Sequence, residues 1–261
     1  QCWRALEDAA LAPDRLAGQR CGVFMGSAAG DYEELLREAG ESLGAEAFTG
    51  LAPSILAARI AYQLDLTGPA LSIDTACSSS LVAVHQARRA LLGGDCDVAL
   101  AGGVMVMSTP KLQIKSSKAG MLSPRGRCRP FADGADGIAL AEGCGVVVLK
   151  RLADALADGD PVHAVLRASG VNQDGATNGI TAPSARSQAA LMAGVYRDSD
   201  IDPVTVGLIE THGTGTALGD PIEFRALAEV FGGAPRGACR LSSVKAAIDH
   251  ATVAAGVAGL I

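Results

Sequence analysis

The chain has 261 residues, 49% of them hydrophobic, 19% charged and only 3% aromatic. That is enough for one large α/β domain with a sizeable core, and the many small residues favour closely packed helices and strands over an aromatic-rich sandwich. The formal net charge of −6 disfavours a nucleic-acid partner, and no apolar run reaches the ~20 residues of a membrane span.

In chain order, the first predicted element is a helix end over 3–11. A strand follows at 20–27, then an acidic helical stretch at 31–44. Residues 53–66 carry Ile55, Leu56, Ile60 and Leu64 close to helical spacing, and Gly68-Pro69 breaks the chain behind them. "ALSIDTA" reads as a strand, and "SSLVAVHQARRALLGGD" as a helix closed by Gly93-Gly94. The continuous apolar run 96–107 reads as a buried strand. Residues 108–144 are polar and Gly-rich and are expected to be irregular; loops of this length inside a domain are usually functional. Strands are expected at 144–152, at 161–175 running into a turn, at 205–213 and at 240–248, with helices at 184–198 and 221–232. Alternating strands and helices imply parallel sheets covered by helices on both faces. Both ends read as cut, because helical periodicity starts without an N-cap and the apolar run at the end has no C-cap signal. The chain is therefore expected to be an internal portion of something longer. Its first residues show no charged-then-apolar signal-peptide pattern.

The seven cysteines are Cys2, Cys21, Cys77, Cys96, Cys128, Cys144 and Cys239. An odd number with no CxxC pair is neither a disulfide framework nor a zinc site, and reduced thiols in a cytoplasmic protein fit best. Cys77 follows a strand and opens a helix in "SIDTACSSS". A lone Cys is most often a small buried hydrophobe, and the three serines are most simply N-cap residues. At a helix start, however, unpaired N–H groups favour the thiolate.

"ETHGTGTALGDP" (210–221) brings His212 to a turn. Its Gly213, Gly215 and Gly219 superficially suggest a dinucleotide fingerprint. Asp220, Pro221 and Glu223 instead read as a capping box that starts the helix later, so the glycines form a loop presenting His212, Thr214 and Thr216. No GxxxxGK phosphate loop exists. A second histidine, His250, follows "SVKAAID", whose Lys245 could be a solvated charge. His85 and His163 read as structural. One Cys and two His on three strand-to-loop junctions suit acyl-thioester chemistry, with a thiolate to carry the acyl group and imidazoles to polarise a carbonyl and manage a proton.

Six segments carry a resemblance: "GPALSIDTACSSSLVAVHQA", "AGGVMVM", "GMLSPRGRCRPFADGADG", "VNQDG", "ETHGTGTALGDPIE", and "SVK" with the following His. Together they resemble a β-ketoacyl synthase domain of modular type I polyketide synthases, over essentially the whole chain. The resemblance implies a thiolase-like fold, a five-layer α-β-α-β-α sandwich of two βα-rich halves, here truncated at both ends. It implies residues 1–155 as the half carrying the nucleophile and 156–261 as part of the half carrying both active-site histidines. The implied reaction is decarboxylative Claisen condensation in polyketide chain elongation. Cys77 accepts the acyl chain, and its N–H contributes to an oxyanion hole. His212 and His250 bind a malonyl-type extender and stabilise the enolate, Lys245 organises the site, and Thr214 and Thr216 hydrogen-bond the pantetheine arm. No cofactor is bound directly. Substrates ride on the phosphopantetheine of an acyl carrier protein, and a homodimer and neighbouring synthase domains are the further implied partners, with no metal, nucleic acid or membrane.

The chain departs from the family's K-S-N-I-G-H-T-E pattern at 245–252, where Asp249 stands for Gly and Thr252 for Glu. Two readings of Asp249 follow. Its carboxylate either favours an imidazolium at His250, which is the preferred reading, or replaces the lost partner of Lys245. The family's start and its C-terminal Gly-rich oxyanion loop are also missing. Alternatives to condensation are a non-elongating homologue that accepts and passes on an acyl chain, favoured somewhat by the altered loop, and a non-catalytic dimerisation scaffold.

Overall fold

Two apolar runs, 21–26 and 98–105, form the centre of a four-stranded sheet. The computed structural model describes residues 1–261. In chain order the elements are α1 (Cys2–Asp8), α2 (Pro13–Leu16), β1 (Cys21–Gly26), α3 (Tyr32–Glu38), α4 (Ala45–Leu51), α5 (Ile55–Gln63) and β2 (Ala70–Ile73). A 3₁₀ turn at Ala76–Ser78 leads into α6 (Ser79–Gly93), β3 (Val98–Met105), α7 (Lys111–Lys118), β4 (Gly143–Lys150) and α8 (Leu152–Asp158). Then come α9 (Ala185–Asp198), a 3₁₀ turn at Pro203–Thr205, β5 (Leu208–Glu210), α10 (Gly219–Phe231), β6 (Arg240–Ser242), α11 (Lys245–Ile248), a 3₁₀ turn at Thr252–Ala254 and α12 (Ala255–Leu260). None of these helices is long and apolar enough to cross a membrane.

The chain folds as two units: residues 1–115, 141–165 and 251–261 in the first, 116–140 and 166–250 in the second. In the first, the strand order is β2-β1-β3-β4. β1 is buried along its whole length, which is why it reads as an unbroken apolar run rather than an alternating one. Val23, Met25, Val98 and Leu100 pack with Leu6, Leu16 and Ala57 on one face, and α6 packs against β1 and β3. β2 and β3 pair with β1 in parallel, but β4 runs antiparallel to β3, from Val98↔Lys150 to Met105↔Gly143. The expectation of purely parallel sheets is corrected there. The connection from β3 returns the chain to the sheet end it left, so β4 runs back.

The second unit contains the parallel pair β5-β6, with Leu208 opposite Arg240. α9 packs on α10, where Tyr196 and Phe231 meet edge to face at 5.4 Å. Two further expectations are corrected. Residues 161–171 form no strand, because their backbone enters no ladder, and α7 lies inside the stretch expected to be irregular.

Close backbone approach fixes the start of α6. Gly26, the last residue of β1, sits beside Gly103, two residues before the end of β3. A Cβ at Gly26 would lie 2.6 Å from the Ser80 nitrogen, and one at Gly103 would lie 2.8 Å from the Ser80 Cβ. Two missing side chains thus let the first turn of α6 rest on the strand ends. Gly26→Ala is expected to lower the urea midpoint by the equivalent of ~1–3 kcal/mol, the cost of overpacking against backbone. Gly50→Ala in α4, where an added Cβ meets nothing within 4 Å, is expected to cost nothing and to gain ~0.5–1 kcal/mol. Equal midpoints for the two variants would refute the packing argument.

Candidate active site

Cys77 lies in the first unit, in the short 3₁₀ turn between β2 and α6, and is half-buried. Ala76 before it has φ 56°, a left-handed conformation that costs an L-residue roughly 1–2 kcal/mol. Short side chains hold this turn. Asp74 Oδ1 accepts the Ala76 N–H at 3.1 Å. Ser79 Oγ accepts the Thr75 N–H at 2.9 Å and donates to the Ala76 carbonyl at 2.6 Å. Ser80, wholly buried, accepts the Val257 N–H at 2.9 Å. Ser78 stands at the N-cap of α6, but its side chain makes no capping bond there. Ser78 and Ser79 bond backwards into the turn, and Ser80 ties α6 to α12.

In the second unit His212 and His250 meet edge to face, their ring centroids 5.6 Å apart. His250 is 2% exposed and Lys245 4%, and Thr214 is buried in the same unit. Lys245 sits in the first turn of α11 rather than on a strand, which corrects the expected strand through 248. Glu210, the last residue of β5, accepts the Val244 N–H at 2.6 Å and so anchors that turn. Burial, then His212, then the Lys245 ammonium push the His250 pKa down to about 3. His212 keeps one side open to solvent. The protein around its other faces, with Lys245, lowers its pKa to about 4, and the Asp220 carboxylate opposes that shift. At neutral pH both imidazoles are uncharged. This corrects the expectation that Asp249 favours an imidazolium at His250.

The Asp249 backbone has φ 59° and ψ −165°, a region that is essentially glycine-only and costs other residues of order 1–3 kcal/mol. The carboxylate accepts the Cys128 N–H at 3.0 Å.

The expected capping box is also corrected. α10 opens at Gly219, preceded by Leu218, and Thr216 Oγ1 accepts the Gly219 N–H at 3.0 Å. The two carboxylates grip the preceding loop instead. Asp220, 4% exposed, accepts the N–H of Gly215 at 3.1 Å and of Phe131 at 2.7 Å. Glu223 accepts the N–H of His212 at 2.7 Å and of Gly213 at 2.8 Å. Burial raises the pKa of Glu223, and the Gly213 and His212 N–H groups oppose the rise. A dinucleotide loop is excluded on this ground rather than by the position of the helix start: carboxylates occupy the N–H groups that a pyrophosphate would need. Sequence reasoning assigned no loop-holding role to Glu210, Asp220 or Glu223, although the acidic residues of "ETHGTGTALGDPIE" were its available signal.

Residues 1–155 match the family model "Beta-ketoacyl synthase, N-terminal domain", and residues 163–261 match "Beta-ketoacyl synthase, C-terminal domain". The chain belongs to the β-ketoacyl synthase family. It is 51% identical over 259 residues to a phenolphthiocerol/phthiocerol polyketide synthase of Mycobacterium tuberculosis, covering 99% of this chain and 17% of that protein. It is 49% identical to polyketide synthase GfsA of Streptomyces halstedii, covering 99% of this chain and 4% of that one. Among solved structures, the ketosynthase from module 6 of the bacillaene synthase of Bacillus subtilis 168 superposes with a TM-score of 0.91 at 46% identity, covering 99% of this chain and 45% of that chain. An oxazolomycin ketosynthase domain from Streptomyces albus JA3453 gives 0.90 at 43% identity, with the same two coverages. The fold is the thiolase-like fold of ketosynthases.

Two predictions follow from this ketosynthase geometry. Iodoacetamide should alkylate Cys77 before the other six cysteines. Cys21, Cys96 and Cys128 are buried, and burial raises the pKa of the exposed Cys144. Peptide mapping that found Cys144 labelled first would overturn this. The second concerns pH. Both imidazoles have folded pKa values below their ordinary 6.5, so the unfolded chain takes up protons first as pH falls. The stability they contribute is complete above about pH 7, declines below the ordinary value and is lost as pH falls through about 4 and then about 3. Between pH 7 and pH 4.5, the urea midpoint of His250→Asn should fall less than that of the native protein, and an equal fall would contradict the neutral pair.

Proposed function

We propose that this chain carries the condensing chemistry of polyketide chain elongation, with residues 1–155 contributing the nucleophile and 156–261 the imidazoles. The reading is carried by the pair of uncharged imidazoles, edge to face at 5.6 Å beside a buried lysine. Neutral imidazoles offer N–H donors to a developing oxyanion without first losing a proton.

In the first step the Cys77 sulfur attacks the carbonyl of an acyl thioester carried on the phosphopantetheine of an acyl carrier protein. A C–S bond forms to Cys77, the C–S bond to the carrier breaks, and the pantetheine thiol leaves with the proton that Cys77 gives up. In the second step a malonyl-type carrier thioester loses CO₂. The electron pair of the broken C–C bond passes into an enolate whose oxygen accepts from His212 and His250. In the third step the enolate carbon attacks the Cys77 thioester, and the thiolate leaves as the new C–C bond is complete. Lys245 lies close enough to both rings to lower their pKa values. Thr214 Oγ1 and Thr216 Oγ1 are paired at 3.2 Å, and Thr216 Oγ1 also accepts the Gly219 N–H, so one of the two hydroxyl protons lies between them and the other is left for the pantetheine arm. The same reading includes a homodimer in the cytoplasm, working beside neighbouring synthase domains.

The test uses the full-length protein, incubated first with an acyl carrier thioester and then with a malonyl carrier thioester, with mass spectrometry of every protein. Acyl transfer to Cys77 followed by a chain extended by the decarboxylated unit on the second carrier supports the proposal. Acylation without extension would instead identify a chain-transferring homologue. His212→Ala should leave acylation of Cys77 within a few-fold of native and slow extender decarboxylation by ~10²–10⁴-fold, the range for one positioned imidazole. Loss of acylation itself would reassign His212 as the base for Cys77.

A further inference from the structure

The backbone that presents His250 is closed into a ring by Asp249. The His250 N–H donates to the Ala139 carbonyl at 2.8 Å, and Leu140 and His250 form a β-bridge. Cys128 Sγ accepts the Ala139 N–H at 3.3 Å and donates to the Ala139 carbonyl at 3.7 Å. The Asp249 carboxylate then accepts the Cys128 N–H at 3.0 Å. Two hydrogen bonds thus tie the Asp249-His250 dipeptide to the segment 128–139, one through the side chain of the first residue and one through the backbone of the second. That segment is itself folded back by the Leu122–Ile138 bridge and by Ser123 N–H to Ile138 O at 2.8 Å. Without an acceptor at 249, the Cys128 N–H would lose this partner in a partly buried setting.

The position is informative because the residue is unsuited to its backbone. A φ of 59° with ψ near −165° suits glycine, and an L-residue persists there only when its surroundings over-determine it. The carboxylate bond is the visible compensation, and it is available to Asp and Asn but not to Gly. We infer that Asp249 is a positioning residue: its carboxylate clamps segment 128–139 to the turn bearing His250 and so sets the orientation and seclusion of that imidazole. This rests on the assignment of His250 to the condensing chemistry.

Four groups bear on His250 in this inference: His212 and Lys245, which hold it neutral, the carboxylate of Asp249, turned to the Cys128 N–H, and the Cys128 thiol, bonded to Ala139. Releasing the clamp admits water around the ring and returns it towards its ordinary titration.

The test compares native protein, Asp249→Asn and Asp249→Gly in the full-length protein. Three quantities are read for each: the urea midpoint, the rate of malonyl-carrier decarboxylation, and the His250 titration by NMR of ¹³C-labelled histidine, assigned against His250→Asn. Asn keeps an acceptor oxygen and the size of Asp, so it should stay within about threefold of native in rate and leave the titration of His250 in place. Gly relieves the backbone but removes the acceptor. It should therefore keep or raise the urea midpoint while slowing decarboxylation at least about tenfold and moving the His250 titration up from about 3. A merely structural role would move the midpoint and leave the titration alone. Native-like titration and rate in Asp249→Gly would overturn the inference, and so would an Asn variant that behaves like Gly. If neither native nor variant protein decarboxylates the extender, the proposed reaction fails, while the titration still decides the clamp.

Discussion

Backbone N–H groups in irregular, buried chain must find acceptors, and in the second unit carboxylates supply them. The loop after β5 and the turn after β6 carry His212 and Lys245 but have no ladder beyond Glu210 and Ser242. Glu223 accepts from residues 212 and 213, Asp220 from 215 and 131, Glu210 from 244, and Asp249 from 128. Charge-assisted bonds of this kind are roughly twice as strong as neutral ones. They give a stretch rich in glycine and threonine a single conformation that its own propensities would not select. The two rings meet edge to face because these bonds fix where each chain segment emerges.

The thiol-bearing turn solves the same problem with hydroxyls. Ser79 closes the 3₁₀ turn on both sides, and Ser80 reaches into the start of α12. One carboxylate joins them: Asp74, whose Oδ1 accepts the Ala76 N–H. The glycines near the ends of β1 and β3 make this compact arrangement sterically feasible. Strand ends, helix start and turn therefore form one packing unit, and a single methyl at Gly26 reaches it.

Much of this was legible where the signal is local. The Gly93-Gly94 stop matches a helix whose capping residue Gly94 is left-handed at φ 79°, and the apolar spacing at 53–66 matches α5. What was not legible depends on partners distant in sequence. Residues 161–171 have the apolar content of a strand, but strands exist by pairing, and these residues enter no ladder. The direction of β4 is likewise a property of the connection, not of its own eight residues. "KLQIKSSK" has too few apolar residues to announce α7. The two histidines and the lysine of the second unit, and the thiol of the first, were legible as residue types in specific motifs. The roles of Asp220 and Glu223 were misread, because residue pattern alone does not show whether a carboxylate near a helix start turns to its own helix or to the loop before it.

The electrostatics of the imidazole pair follow from the direction in which those carboxylates face. A carboxylate beside an imidazole ordinarily favours the cation, and four carboxylates surround these loops. Yet both rings are held neutral. The acceptor oxygens named above are engaged with backbone N–H groups, so much of their charge is compensated locally. Burial first, then His212 and Lys245 at His250 and Lys245 at His212, decide the protonation state, and Asp220 opposes it at His212. The same bonds that order the loops therefore keep two N–H donors available at neutral pH. Replacing glycine by Asp249 beside the second ring is compatible with this arrangement because that carboxylate, too, is turned to a backbone N–H.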